Sequence, residues 1–145
     1  MDLFTSMQTS STALTAERTR MNLVSSNLAN ANTTRTPEGG PYKRKDAVFT
    51  ATPLQGGFGK TLDRAANEQI RQVTVTEIKE DKSPPRLQFD PSHPDADPQG
   101  YVAMPNVNVV EEMADMINAT RAYEANVMAA QAAKNMALKT LEIGR

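Results

Sequence analysis

The sequence contains no cysteine, so neither disulfide bonds nor thiolate metal sites can form. It also lacks an excess of charge of one sign. Its 16 basic and 17 acidic residues leave a net charge of -1, which provides no electrostatic footprint for nucleic acid or for an anionic membrane surface. No run of apolar residues approaches the length that spans a bilayer. These absences argue against nucleic-acid binding and against direct membrane insertion.

Two further shortages concern export and folding. The first residues include Asp2 and lack an uninterrupted apolar region, so we expect no cleavable signal peptide. Leu, Ile, Val and Phe together number 26 of 145 residues, which is few for a chain that must form its own hydrophobic core. The high net charge that usually accompanies disorder is also missing. We therefore expect one domain, or one small domain with extensions, that folds with help from neighbours.

Proline and glycine are absent from most of both ends of the chain. All 9 prolines lie between Pro37 and Pro105, and six of the 7 glycines lie between Gly39 and Gly100. Because these residues interrupt regular structure, their distribution predicts a helix, an irregular or β-containing middle, and a second helix. We place the N-terminal helix in residues 1–34, the middle in 35–105 and the C-terminal helix in 106–145.

The N-terminal segment has an apolar repeat of seven residues, which predicts a helix with a narrow apolar face. Its composition is rich in Ser and Thr, so this helix is expected to be marginal alone in water. Asn30 or Asn32 can end it by adopting the left-handed conformation, and Pro37 blocks its continuation. The members of the repeat are Met7, Leu14, Met21 and Leu28.

The C-terminal segment predicts a longer and stronger helix. Asn108 and Glu111 resemble a capping box, and acidic residues in the first turns suit the positive end of the helix dipole. Gly144 suits a C-cap, and alanine is abundant between residues 114 and 137, which allows a neighbour to approach closely. The face at helical spacing consists of Met113, Ile117, Thr120, Tyr123, Val127, Ala130, Leu138 and Leu141.

Two long helices with apolar faces predict pairing as a coiled coil. The helix pattern alone does not distinguish a self-contained antiparallel hairpin from helices that pack between subunits. Besides Met1, six of the 8 methionines lie in the two helical ends. Methionine and alanine fill gaps adaptably but specify a unique core weakly. This composition favours assembly over the self-contained hairpin.

The middle is predicted to hold a small β element or an extended arm. Residues 73–78 (VTVTEI) alternate in the manner of a strand, and residues 46–51 (DAVFTA) and 86–89 (RLQF) are short candidate strands. Turn-forming residues surround all three segments. The expected fold class is therefore mainly α, with two long helices paired as a coiled coil and a small β-rich or extended insertion between them.

Several local patterns resemble chemical motifs without completing them. Residues 56–61 (GGFGKT) look like the end of a phosphate-binding loop, but Leu54 stands where its first glycine is required. Residues 95–100 (DADPQG) look like the start of a calcium loop, but Asn106 replaces the bidentate glutamate. His93 is the only histidine. We therefore predict no catalytic residues, no cofactor-binding residues, no metal site and no enzyme activity.

The basic triplet Lys43–Lys45 is interpreted as a solvated strand edge. The ends of the chain are more informative. Residues 10–36 (SSTALTAERTRMNLVSSNLANANTTRT) resemble the N-terminal motif of bacterial flagellar rod and hook proteins, and residues 110–145 (VEEMADMINATRAYEANVMAAQAAKNMALKTLEIGR) resemble their C-terminal motif. In the middle, residues 42–49 (YKRKDAVF) and 90–113 (DPSHPDADPQGYVAMPNVNVVEEM) are similar to the short subunits of the proximal rod. We assign no resemblance to residues 50–70.

The resemblance implies a structural subunit of the hollow flagellar rod, which crosses the periplasm and transmits motor torque. In this family the terminal segments are loosely held in the monomer and become paired helices on assembly. The implied partners are copies of the chain, other rod subunits, the export gate, the base of the inner-membrane ring, basal-body adaptor proteins and the type III export apparatus. Export without signal cleavage agrees with the missing signal peptide.

The resemblance also assigns roles to particular side chains. Three asparagines would cap and turn the chain after the first helix, namely Asn27, Asn30 and Asn32. Helix packing within and between subunits would use Met7, Leu14, Met21, Leu28, Met113, Ile117, Tyr123, Val127, Leu138 and Leu141. The alternatives are another axial rod or hook component and, from a different class, a soluble helical-hairpin adaptor or export chaperone.

Overall fold

The computed structural model describes residues 3–53 and 71–143. Its element order is helix α1 (Leu3–Ala29), strands β1 (Lys45–Pro53), β2 (Arg71–Glu80), β3 (Arg86–Phe89) and β4 (Tyr101–Met104), and helix α2 (Val109–Ile143). The predicted class, mainly helical with a small β middle, is therefore confirmed. The phosphate-loop-like residues 56–61 and the C-cap candidate Gly144 lie outside the described residues.

The two helices run antiparallel against each other. Asn27 near the end of α1 contacts Glu112 near the start of α2, and Met21 contacts Thr120. Residues earlier in α1 therefore lie opposite residues later in α2. Since α2 has 35 residues and α1 has 27, the last turns of α2 extend past the described start of α1.

Helix α1 forms despite many residues of modest helix propensity. Four threonine hydroxyls donate hydrogen bonds to carbonyl oxygens three or four residues earlier in the same helix, at 2.9 to 3.1 Å; they belong to Thr9, Thr12, Thr15 and Thr19. These bonds satisfy the hydroxyls locally without adding tertiary stability. Helix α2 begins as expected at Asn108, whose Oδ1 accepts from the backbone N–H of Val110 at 3.1 Å.

The four strands form two antiparallel hairpins, β1–β2 and β3–β4. The three segments predicted as strands lie in β1, β2 and β3, whereas β4 was not predicted. The first hairpin has a register shift between Val48 and Phe49 and packs against α1, where the guanidinium of Arg20 lies 5.9 Å from the centre of the Phe49 ring. The second hairpin leads directly into the start of α2.

The core of the described chain is thin and consists of small side chains. Besides Pro105, its buried apolar residues are three valines and four alanines: Ala16, Val24, Ala31, Val102, Val107, Ala119 and Ala133. Most of the long apolar side chains remain exposed. A core of this size cannot offset the ordering of two long helices by a wide margin, which agrees with the composition.

Candidate assembly interface

The largest fully buried side chain of the described residues is a carboxylate. Glu112, in the first turn of α2, is only 1% exposed. Its Oε1 accepts from Nε of Arg44 at 2.6 Å, and its Oε2 accepts from Nδ2 of Asn27 at 3.0 Å. Both carboxylate oxygens are thus paired, as a buried charge requires.

Asn27 connects three parts of the chain through one amide. Its Nδ2 donates to the backbone oxygen of Lys45 at 2.9 Å, and its Oδ1 accepts from the backbone N–H of Lys45 and from the hydroxyl of Tyr42, both at 2.9 Å. The two bonds to Lys45 imitate a strand pairing with the first residue of β1. We refer to the side chains of Asn27, Tyr42, Arg44 and Glu112 as the polar cluster.

The position of Arg44 is set by several acidic groups. Burial lowers the pKa of its guanidinium, but the hydrogen bond and charge of Glu112, with a smaller contribution from Asp46, outweigh that effect and raise the pKa above its ordinary value. A weaker ion pair joins Nη2 to Asp115 at 3.7 Å. The backbone N–H of Arg44 donates to Oδ1 of Asn106 at 3.3 Å. The guanidinium therefore stays charged and links the segment after α1 to the start of α2.

The polar cluster was missed by the sequence interpretation. The basic triplet at 43–45 was assigned to a solvated strand edge, which is wrong for Arg44 because its side chain is 26% exposed and bound to a buried carboxylate. Glu112 was considered only as a charge complementing the helix dipole. The sequence does contain a signal for the burial of Glu112: this acidic residue occupies the same heptad position of α2 as Ala119 and Ala133.

The helix-ending asparagines behave differently from the prediction. Neither Asn30 nor Asn32 adopts a positive φ, so the predicted left-handed stop is wrong. Instead, Nδ2 of Asn30 donates to the carbonyl of Ser26 at 2.9 Å, and its Oδ1 accepts from the hydroxyl of Thr33 at 3.1 Å. The backbone N–H of Asn30 also donates to the carbonyl of Ser26 at 3.0 Å, and that of Ala31 donates to the carbonyl of Leu28 at 3.3 Å, so α1 ends in backbone turns without a positive φ. Asn27 lies inside α1 and directs its side chain to Lys45 and Glu112, and Asn32 is exposed.

The side chains assigned to helix packing fall into two groups. Leu14, Met21 and Leu28 in α1 and Tyr123 and Val127 in α2 are half-buried in the single chain. The others are more exposed: 36% for Met7, 52% for Met113, 53% for Ile117, 50% for Leu138 and 72% for Leu141. The second group has little contact within the chain, and its packing role remains a prediction.

One side of α2 presents an apolar surface that the chain leaves uncovered. Val110, Met113 and Ile117 follow helical spacing and are all at least half exposed. We call these three residues the outer stripe. The opposite side of the same helix carries the buried Glu112 and Ala119. Helix α2 therefore buries one side within the chain and leaves an apolar stripe uncovered on the other, which is typical of a helix that is enclosed by a larger assembly.

Residues 3–53 and 71–143 contain neither a cluster of potential metal ligands nor a membrane-spanning helix. Within these ranges, no three acidic or histidine side chains come close enough together to hold a metal ion. Neither helix of the described chain has the length and apolarity needed to cross a bilayer.

Comparison with known proteins gives matches across the chain. A family model described as "Flagella basal body rod protein" matches residues 7–35, and one described as "Flagellar basal body rod FlgEFG protein C-terminal" matches residues 99–143. These ranges contain α1 from Met7, the polar-cluster residues Asn27 and Glu112, and the outer stripe.

Relatives named "Flagellar basal-body rod protein FlgC" match over nearly their full length. The protein from Borreliella burgdorferi is 44% identical over 99% of this chain and 98% of its own. The protein from Bacillus subtilis is 44% identical over 100% of both chains. The protein from Escherichia coli O157:H7 is 41% identical over 92% of this chain and 91% of its own.

Proposed function

The chain belongs to the FlgC-type flagellar basal-body rod proteins, and on this premise we propose that it works in the proximal part of the rod as a subunit whose helices order on assembly. It is a structural subunit, and its location is the flagellar basal body. Its relatives are structural rod proteins, which agrees with a chain that is not an enzyme. The proposal rests on the outer stripe, which is apolar and uncovered although the other side of α2 is already packed within the chain.

We propose that α1 and α2 pair as a coiled coil within the subunit. The buried residues of α2 include Glu112, Ala119 and Ala133, which are spaced by seven and fourteen residues. In α1, Ser10 and Val24 are buried fourteen residues apart. Sustained spacing by seven is the pattern that keeps two helices in contact along a shared seam.

Contacts with neighbouring subunits would then cover what the single chain leaves exposed. The outer stripe and the overhanging end of α2, with Leu138 and Leu141, are the surfaces we assign to these contacts. A head-to-tail contact that does not close on itself generates a helical tube. In this proposal the partners within the rod are copies of the chain and the other rod subunits. During export the chain would meet the type III export apparatus. At the rod base it would meet the export gate, the base of the inner-membrane ring and basal-body adaptor proteins.

Ordering of the ends would be coupled to incorporation. The thin core supplies little free energy to order helices of 27 and 35 residues, so contacts with neighbours would offset the lost conformational entropy. A loosely ordered monomer would also pass through a narrow export channel, without signal cleavage, before it reaches the rod in the periplasm. We therefore divide the chain functionally into residues 1–34, 35–105 and 106–145.

Limited proteolysis tests the coupling of order to assembly. The purified full chain and the chain within isolated basal bodies are digested under the same conditions, and the fragments are identified by mass spectrometry. We expect rapid loss of residues before about Asn32 and after about Val110 in the free chain, and protection of both ends in basal bodies. Protection of both ends in the free chain would contradict the proposal and favour the helical-hairpin adaptor. Absence of the chain from basal bodies would contradict a rod role altogether.

A further inference from the structure

The second hairpin, β3–β4, carries an apolar face that is open to solvent. Residues paired across antiparallel strands lie on the same face, so Leu87 is paired with Ala103 and Phe89 with Tyr101 on one side of the hairpin. The three large side chains are all exposed: Leu87 is 63% exposed, Phe89 64% and Tyr101 42%. We call these four residues the aromatic face. They form a contiguous apolar surface on two strands of only four residues each.

The opposite side of the hairpin anchors it to the rest of the chain. Val102, whose side chain lies on that side of β4, is only 1% exposed, and Pro105 and Val107 in the connection to α2 are buried as well. Between the two strands, Asp95 accepts a hydrogen bond from the hydroxyl of Thr34 at 2.8 Å. The hairpin is therefore held next to the start of α2 and against the segment that follows α1.

The aromatic face has no cover from the other elements. Within residues 3–53 and 71–143, neither strand of this hairpin packs along α1, α2 or the first hairpin. At Tyr101 the outer edge of β4 is already occupied, because its carbonyl accepts from the backbone N–H of Asp97 at 2.8 Å. Addition of a further strand at this point is blocked. The hairpin thus offers its side chains, and not this backbone edge, to a partner.

The size of the aromatic face limits the kind of partner that it can hold. Three large side chains that are each about half exposed offer a few hundred Å², whereas a stable pair of proteins buries roughly 800 Å² on each partner. Such a contact is too small to hold two free molecules together. It becomes effective when other contacts already bring the partner into place, as happens between neighbouring subunits of an assembly.

The shape and charge of the hairpin suit the aliphatic stripe of a helix. Ala103 is the small member of the aromatic face and leaves room for an aliphatic side chain beside Leu87. The face extends over about 7 Å along the strands, and a stripe such as the outer stripe rises over about 10 Å. Arg121 is the first charged residue on the stripe side of α2, and the connection after Phe89 carries the exposed carboxylate of Asp97. Aliphatic and basic groups of such a helix therefore match the aromatic and acidic parts of the hairpin.

We propose that the aromatic face binds the first turns of the C-terminal helix of a neighbouring rod subunit. The occupant is defined by its chemistry: aliphatic side chains at spacings of three and four residues that lead to a basic residue, as Val110, Met113, Ile117 and Arg121 do in this chain. Each subunit then presents one aromatic face and one stripe, so the contact is heterologous and does not close on itself. The inference rests on the rod role proposed above.

Photo-cross-linking in the assembled rod identifies the occupant. p-Benzoylphenylalanine replaces Phe89 in the full chain in flagellated cells, and after irradiation the cross-linked peptides of isolated basal bodies are sequenced by mass spectrometry. We expect the dominant peptide to come from the first four turns of a neighbouring subunit's C-terminal helix, at an aliphatic residue that precedes a basic one. The same probe at Gln88 is the matched control, because Gln88 is also exposed but lies on the other side of β3.

Two outcomes of the cross-linking would overturn the proposal. One is a dominant peptide from any other part of a rod subunit, from a ring protein or from the same molecule. The other is an equal yield from the probes at Gln88 and Phe89. If the wild-type chain itself is missing from basal bodies, the rod role fails; if it is present and the probe reports another surface, only this inference fails.

A substitution keeps the test decisive if the cross-linker variant does not accumulate. Leu87→Ser removes apolar surface from an exposed position, so the near-UV circular dichroism of the purified chain should match that of the wild type. When tagged variant and wild-type chains are co-expressed, we expect the share of Leu87→Ser in basal bodies to fall by about fivefold. Ile78→Ser is the control, because Ile78 is 50% exposed on the first hairpin and should be incorporated like the wild type. Normal incorporation of Leu87→Ser, or an equal loss for both variants, would overturn the proposal.

Discussion

At the scale of single residues, two features depend on atoms that allow almost no substitution. The first is Gly100, which precedes β4. It has φ of 85° and its hydrogen faces the ring of Phe89, where an added Cβ would lie 2.9 Å from Cε2. The ring of Phe89 in turn packs edge-on against Tyr101, with centroids 5.3 Å apart. The β3–β4 hairpin thus needs glycine for both backbone conformation and space.

Gly100→Ala is expected to destabilise the hairpin by about 1–3 kcal/mol from the backbone and a similar amount from overpacking. Gly39→Ala is the matched control, because Gly39 has φ of 89° but open space around its Cβ position, so only the backbone cost applies. Urea unfolding followed by near-UV circular dichroism of the tyrosines measures both. Equal losses for the two variants would show that Phe89 moves aside at no cost.

The second residue-scale feature is the amide of Asn27. Asn27→Asp replaces the Nδ2 donor with a carboxylate oxygen next to Oε2 of Glu112 and the carbonyl of Lys45. We expect a penalty of about 3–5 kcal/mol in the folded arrangement, since two carboxylates would share a buried site. Motility measured as swim-ring diameter should be lost. Asn32→Asp, on an exposed asparagine nearby, should swim normally, and normal swimming of Asn27→Asp would contradict the importance of the cluster.

At the scale of secondary structure elements, α2 carries two different surfaces. Its inner side, with Glu112, Ala119 and Ala133, is covered within the chain, whereas the outer stripe is not. Its last turns extend past the described part of α1, and there Leu138 is 50% exposed. Helix α1 by contrast lies between α2 and the β1–β2 hairpin, so its Leu28 is half-buried. The two leucines therefore test different interfaces.

Leu138→Asp and Leu28→Asp are both expected to abolish motility, for different reasons. A charge at Leu138 would be tolerated by the isolated chain and disfavoured only when a neighbouring subunit covers it, whereas a charge at Leu28 would also weaken the α1–α2 seam. Immunoblots of whole cells and of basal bodies separate synthesis from incorporation: each variant should accumulate in cells and be missing from the rod. Gln131→Asp, on an exposed part of α2, is the control. Normal swimming of either leucine variant would count against its packing role.

At the scale of the whole molecule, the balance between helix length and core size determines how stable the helices are in the single chain. Helices of 27 and 35 residues are combined with a core made of alanine and valine. Helices that bury little apolar surface are marginal in water, because their conformational entropy is not recovered by packing. The molecule therefore suits a subunit that completes its structure among neighbours.

The purified chain in dilute solution should have less helix than α1 and α2 contain together. Far-UV circular dichroism at concentrations where light scattering reports a monomer measures this, and the signal should rise when a helix-favouring osmolyte is added. A full helical signal in the dilute monomer, with cooperative melting, would instead indicate a self-sufficient hairpin and would contradict folding on assembly.

The sequence by itself predicts the order of the elements, namely a helix, a β-containing middle and a second helix, because this order depends on local chemistry. Pro and Gly exclude regular helix from the middle, the spacing by seven marks α1, Asn108 caps α2, and alternation marks β2. The motifs that resemble the rod proteins are contiguous stretches, so they too were readable before any contact was known.

Only the tertiary structure decided which helix faces meet and which polar groups they enclose. Asn27, Arg44 and Glu112 are separated by up to 85 residues, and no local rule joins them. Burial of a carboxylate is favourable only where its donors already converge, and that convergence is a property of the fold.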